Sequence, residues 1–157
     1  MTILEPITKT LPRELKSVSA VHSFTVFPDD LNYKGSLFGG KILAEIDLSA
    51  LKAVRRMLYN TDCDTAVTAS IDRVDFLKPA KLGDIVELTA TIYKLGRTSV
   101  SVFVHVTKED EYGNIEKICD ARLVFVSLKE GKPHPHDHYL LKEYAATDEL
   151  FSVGSRN

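Results

Sequence analysis

Only one stretch of this chain repeats its apolar residues with a helical period, and four strand-like stretches joined by short links follow it. The helical stretch runs from Gly39 or Gly40 to Tyr59, with Asn60-Thr61-Asp62 marking its end. At about 100° per residue, Ile46, Ala50, Ala53, Val54 and Met57 share one broad face with Leu43, and Lys41, Glu45, Lys52 and Arg56 lie opposite. The segments TAVTASIDRVDFL, DIVELTATIYKL, TSVSVFVHVTKED and EKICDARLVFVSL are rich in β-branched residues or alternate apolar with polar. One more, SAVHSFTVFP, precedes the helix and stops at Pro28 and the Asp29-Asp30 pair. Short links imply antiparallel pairing, and a single helix with one apolar stripe has only that sheet to cover it. The expected fold is therefore α+β: a single domain in which a curved antiparallel sheet of about five to six strands wraps one long central helix.

The body of that domain spans 19–130. Residues 1–18, with Pro6 and Pro12, read as a loose arm, and 131–157 as a tail in which DHYLLKEYAATDELF has the makings of a short helix. A net charge of -2 with no basic block gives no nucleic-acid footprint. No apolar run approaches the roughly 20 residues that span a bilayer, so no membrane association is expected. The N-terminus shows no secretory pattern, and Cys63 and Cys119 lack metal-ligand spacing, so the expectation is two free thiols in a cytoplasmic protein.

Chemistry concentrates around the start of the helix. Asp47 falls close to Leu43, Ala50 and Val54, on the apolar face, where an unpartnered carboxylate costs several kcal/mol. Either donors in the sheet hold it as an ordinary buried acid, or the helix lines a cleft there. Leu48 is the reverse anomaly, an apolar residue on the polar side, which points to a covering element such as a second subunit. Gly39 and Gly40 open the helix, where amides lack internal acceptors and glycine permits close approach. A tight turn or close packing explains such a pair as well. Asn32, upstream, offers a donor and an acceptor, and also suits a turn. Together these residues supply an orienter, an oxyanion stabiliser and a base, the set that acyl transfer requires.

The motif Asn32-x-x-Gly35-x-Leu37-Phe38-Gly39-Gly40, with Asp47 seven residues after Gly40, resembles the hotdog-fold acyl-CoA thioesterases. It is close to the bacterial cytoplasmic acyl-CoA hydrolases that are similar to each half of the tandem-domain animal enzymes. Val67-Thr68, Asp72-x-x-x-Phe76-x-x-Pro79, Gly83-Asp84 and Gly96-x-Thr98-Ser99-Val100 continue the resemblance in family order. It implies acyl-CoA hydrolysis with Asp47 as the catalytic carboxylate, acting as general base or nucleophile. It also implies Asn32 contributed by the opposite subunit, and an amide of Gly39 or Gly40 at the thioester oxygen. Arg97, Thr98 and Ser99 would contact coenzyme A, and Phe38 and Thr68 the substrate. Leu37, Tyr33 and Phe76 are candidates for shaping the pocket.

The resemblance implies at least a dimer, with a hexamer as a trimer of dimers, and no cofactor or metal. The His134-Pro-His136-Asp-His138 run invites a metal, but its prolines and lack of a flanking framework favour a mobile surface tail. A hotdog dehydratase or hydratase would pair a histidine with an acid. The helix carries none, and His22 and His105 fall on strands. A non-catalytic acyl-CoA sensor would need no Asp47 and would normally carry a DNA-binding segment, for which the arm is too short.

Overall fold

A computed structural model describes residues 14–15, 18–59 and 61–140. In chain order the elements are β1 (Glu14–Leu15), β2 (Ser19–Thr25), α1 (Gly39–Leu58), β3 (Thr65–Phe76), β4 (Ile85–Leu95), β5 (Ser99–Glu109), β6 (Ile115–Lys129), β7 (Lys132–Pro133) and β8 (Tyr139–Leu140). Five strands pair in the order β2-β4-β5-β6-β3, every neighbour antiparallel, and β7 adds a sixth at the end of β6. The helix lies across this sheet, touching β4, β5, β2 and β3.

Period-two alternation puts Val86, Leu88, Ala90 and Ile92 of β4 and Val100, Val102, Val104 and Val106 of β5 on the inner face, all buried. Against them α1 buries Ile42, Ile46, Ala50, Ala53, Val54 and Met57. Small residues at 50 and 53 let the helix axis approach the sheet closely. Ile85, also apolar, is 45% exposed. It opens β4 one residue before Val86 and so points to the other face.

The two edges of the sheet differ. At the β2 edge a chain of charges clasps strand to helix: His22 Nε2 lies 2.7 Å from Glu45 and Lys52 Nζ donates to His22 Nδ1 at 3.1 Å. Lys41 sits 3.1 Å from Glu45 and 3.7 Å from Asp30. The other edge, β3, is open, and Ala66 alone of its residues is buried. Its register slips between Thr68 and Ser70 and again between Ile71 and Arg73, two bulges that bend the strand. Val67, Ile71 and Phe76 are exposed along it, with Leu77 just beyond.

Two pieces outside the expected domain core are ordered. Glu14–Leu15 of the arm pairs in parallel with Tyr139–Leu140 of the tail. The tail turns back from β6 through Glu130 and Gly131, both at positive φ, and packs onto the body through residue 138. The arm before Glu14 lies outside the described residues. Of the 137–151 segment expected to form a short helix, 137–138 are not helical and Tyr139–Leu140 is a strand, which corrects the expectation there; the remainder lies outside the described residues. No helix among the described residues is long and apolar enough to cross a membrane.

Both cysteines are buried free thiols. Burial, reinforced by the negative charges of Asp120 and Asp75, pushes the Cys119 thiol up to about 12, and burial raises Cys63 as well. The thiolate is the reactive form, so native Cys119 is inert at neutral pH. Ellman's reagent at pH 7.5 is therefore expected to label Cys119 only after denaturation, when both thiols react. Rapid labelling of Cys119 in the native protein would contradict this packing.

Candidate active site

Asp47 sits on α1 beside the buried stripe rather than within it. Ile46 and Ala50 are fully buried, whereas Leu43, Asp47 and Leu51, spaced four apart, form a half-covered ridge along one side. This corrects the expected placement of Asp47 on the apolar face. A 100° step from Ile46 turns the carboxylate toward the open edge strand, where it is half exposed. Thr68 Oγ1 donates to Asp47 Oδ1 at 2.6 Å. Thr68 shares a face of β3 with the buried Ala66, and the bulge follows directly after it, so the strand delivers this hydroxyl to the helix and then bends away. Thr68, expected at the substrate, is thus also bonded to the aspartate, a contact the sequence did not announce.

Gly39 and Gly40 are the first two residues of α1, with Phe38 at the cap and no side-chain cap bond. Lys41 and Ile42 donate to the Phe38 carbonyl at 3.0 and 3.2 Å. The Gly39 and Gly40 amides find no acceptor among the described residues. A side chain at Gly40 would collide with the Phe38 ring, but one at Gly39 would meet only Phe76 at an ordinary 3.7 Å. Chain packing thus accounts for Gly40, whereas a side chain at Gly39 would fit in ordinary contact with the Phe76 ring. Phe38 and Phe76 themselves stand 56% and 52% exposed.

Asn32 belongs to a small loop that folds back onto the helix start. Leu31 bridges Leu37, and Phe38 donates to the Asp30 carbonyl at 2.8 Å. Gly35, at φ 85°, supplies the left-handed residue this turn needs. Asn32 Oδ1 accepts from the Lys34 and Ser36 amides at 2.9 and 3.1 Å. The turn thereby consumes the acceptor of Asn32 and fixes which end is oxygen. Its Nδ2 has no partner among the described residues and remains a pure donor.

These groups cannot all serve one atom within one chain. Gly39 and Asp47 are eight residues apart on a continuous helix, about 12 Å along its axis at 1.5 Å per residue. A reacting carbonyl needs its donors and its attacking group each within about 3–3.5 Å.

Arg97 and Thr98 lie in the β4–β5 turn with Gly96, and Ser99 opens β5. Arg97 is exposed. Ser99 pairs with Val126, which on its other side pairs with Val67, the neighbour of Thr68. Two strand spacings, about 10 Å, therefore separate this turn from the Asp47–Thr68 pair. His22 pairs with Glu45, two residues and about 200° around the helix from Asp47, and His105 pairs with Asp120 at 3.3 Å. Neither histidine meets Asp47.

The thioesterase superfamily model matches residues 34–114. The uncharacterized acyl-CoA thioester hydrolase YkhA of Bacillus subtilis is 40% identical over 126 residues, spanning 78% of this chain and 70% of that protein. An apo-hexameric acyl-CoA thioesterase superposes with a TM-score of 0.73 at 32% identity, covering 87% of this chain and 85% of its own. The acyl-CoA hydrolase of Staphylococcus aureus, solved with butyryl coenzyme A, coenzyme A and coenzyme A disulfide, gives 0.72 at 30% identity, covering 87% and 81%. That enzyme has also been solved with an aspartate, an asparagine and a threonine each replaced by alanine. With its long helix across an antiparallel sheet and these relatives, the chain belongs to the thioesterase superfamily and has the hotdog fold.

Proposed function

We propose that this protein hydrolyses acyl-CoA thioesters to a free carboxylic acid and coenzyme A, in sites completed by a second copy of the chain. The placement of Asp47 carries the reading: a carboxylate held at 2.6 Å by Thr68, half covered, beside an open strand edge. The Asn32 Nδ2 donor and the free Gly39 and Gly40 amides of one copy face the thioester oxygen, and Asp47 with Thr68 comes from the other. In support, the aspartate and asparagine replaced in the Staphylococcus aureus enzyme have the same separation along the chain as Asp47 and Asn32.

As a general base, Asp47 takes a proton from water while the water oxygen adds to the thioester carbon. The carbonyl electron pair moves to oxygen and is met by the amide donors. Collapse breaks the C–S bond, and the departing thiolate recovers the proton from Asp47. As a nucleophile, Asp47 forms an anhydride that water then cleaves, with the same products. The balance needs no metal or redox cofactor.

The exposed β3 edge, with its unpaired ladder groups and the apolar Val67, Ile71 and Phe76, suits antiparallel pairing with its own copy. Exposed Leu48 on α1 fits further burial in an assembly. A hexamer of three such dimers is the assembly we favour, by analogy with the hexameric neighbour. Two buried free thiols agree with a cytoplasmic setting.

Free-thiol release from a chain-length panel of acyl-CoAs tests the reaction. Wild type is expected to release thiol, and Asp47→Asn, in the same oligomeric state, to lose at least about 100-fold in kcat. Acyl-CoA binding without thiol release would make the protein a sensor instead. A second variant isolates the donor. Asn32→Asp keeps the oxygen that accepts from Lys34 and Ser36 but removes the Nδ2 donor, and is expected to fold normally and lose about 100-fold in kcat. Full activity in Asn32→Asp would remove Asn32 from the chemistry.

A further inference from the structure

The tail segment read from sequence as mobile is sewn to the body at every residue from His134 to His136. The His134 amide donates to the Ser127 carbonyl at 2.9 Å, and Ser127 Oγ donates to the His134 carbonyl at 2.6 Å. Cys63 Sγ reaches the carbonyls of His134 and Pro135 at 3.5 Å, and His134 Nε2 lies 2.8 Å from Asp62. His136 is 3% exposed. Its Nε2 donates to the Ser99 carbonyl at 3.2 Å, and its Nδ1 accepts from the His138 amide at 3.1 Å. That pattern requires one proton on the ring, and burial holds His136 below the usual histidine range, so the neutral form persists at physiological pH.

The same turn is held from a second side. The Thr98 carbonyl accepts from the Ser127 amide at 2.8 Å, with Ser127 Oγ, whose one proton goes to the His134 carbonyl, 3.1 Å away. Gly96 donates to the Ser99 carbonyl at 3.0 Å, and a side chain at Gly96 would collide with Ser99. Both inward carbonyls are thus tied down by β6 and by the strap, while Arg97 projects outward. A guanidinium on a turn about 10 Å from the reacting carboxylate is placed for an anionic group beyond the thioester, and coenzyme A carries its phosphates there.

We propose that His136 is a positioning residue for coenzyme A: through the Ser99 carbonyl it fixes the Gly96–Ser99 turn so that Arg97 meets the nucleotide end of the substrate. The proposal rests on the acyl-CoA reading and on this turn being its coenzyme A contact. A residue of this kind contributes to substrate binding and leaves the chemistry of Asp47 untouched.

The test compares one acyl group carried on coenzyme A with the same group on N-acetylcysteamine, a thioester that lacks the nucleotide. His136→Ala is expected to raise KM for the acyl-CoA on the order of tenfold with kcat within about twofold, and to leave the N-acetylcysteamine thioester unaffected. His136→Gln, whose side-chain amide donates from a similar position, is expected to restore KM. His136→Leu makes the same comparison if the alanine variant does not fold. Arg97→Ala is the reference, expected to raise KM for acyl-CoA alone. If Arg97→Ala shows this preference and the folded His136 variants do not, the role of His136 is overturned. If Arg97→Ala also leaves the two substrates in their wild-type ratio, the turn does not bind coenzyme A and the proposal falls with it. Thiol release from acyl-CoA by wild type, scored in the same assay, separates either failure from a failure of the hydrolase reading.

Discussion

A helix cannot be shortened to bring its ends together, and that rigidity governs how this molecule can act. The donors at the start of α1 and the carboxylate at Asp47 ride on one rod, about 12 Å apart along its axis. Bending the rod would break the packing of Ile42, Ile46, Ala50 and Val54 against the valine-rich inner faces of β4 and β5. On the function we propose, the fold therefore offers two half-sites per chain, one with donors and one with a base. The open edge of β3 lies beside the second half, where another copy can bring the first. Both halves are fixed before any substrate arrives, which is the preorganisation that electrostatic stabilisation of an oxyanion requires.

Each half is held by bonds that use up the wrong functional groups. In the donor half, the Lys34 and Ser36 amides occupy the oxygen of Asn32 and leave its nitrogen outward. In the base half, Thr68 occupies one oxygen of Asp47 and leaves the other to act. Farther along the same sheet, Ser127 and His136 occupy the carbonyls of Thr98 and Ser99 and leave Arg97 outward. In all three places local hydrogen bonds decide which groups are tied down and which are left outward.

Much of this was legible in the residues. Helical periodicity from Gly39 to Tyr59, and period-two alternation in Val100, Val102, Val104 and Val106, report burial directly, so the helix, the main strands and the inner faces followed from pattern. Asp47 stood out because a charge interrupts that pattern. Its placement was misjudged by one angular step, since an ideal wheel does not say where the covering sheet ends; the sheet stops at β3, and Asp47 lies over its edge. The bulge after Thr68 has no sequence signature of its own, so the bond from this threonine to the aspartate could not be read from the residues. The two-residue ladder of β1 with β8 is too short to show a period. The strap was hidden because prolines between histidines read as loop, whereas what orders it are bonds to Ser127, Cys63 and Ser99, more than 30 residues away for the last.

In the site we propose, Asn32 comes from one copy and Asp47 from another, and mixing two inactive variants tests this division directly. Asn32→Ala and Asp47→Ala chains are purified, unfolded together in equal amounts and refolded, and thiol release from acyl-CoA is measured. In each mixed pair one site receives both intact residues and the other receives neither. With random pairing, activity should return to about a quarter of the wild-type level, far above either variant alone. Activity that stays at the level of the separate variants, in a mixture shown to contain mixed pairs, would contradict the account and place the whole site within one chain.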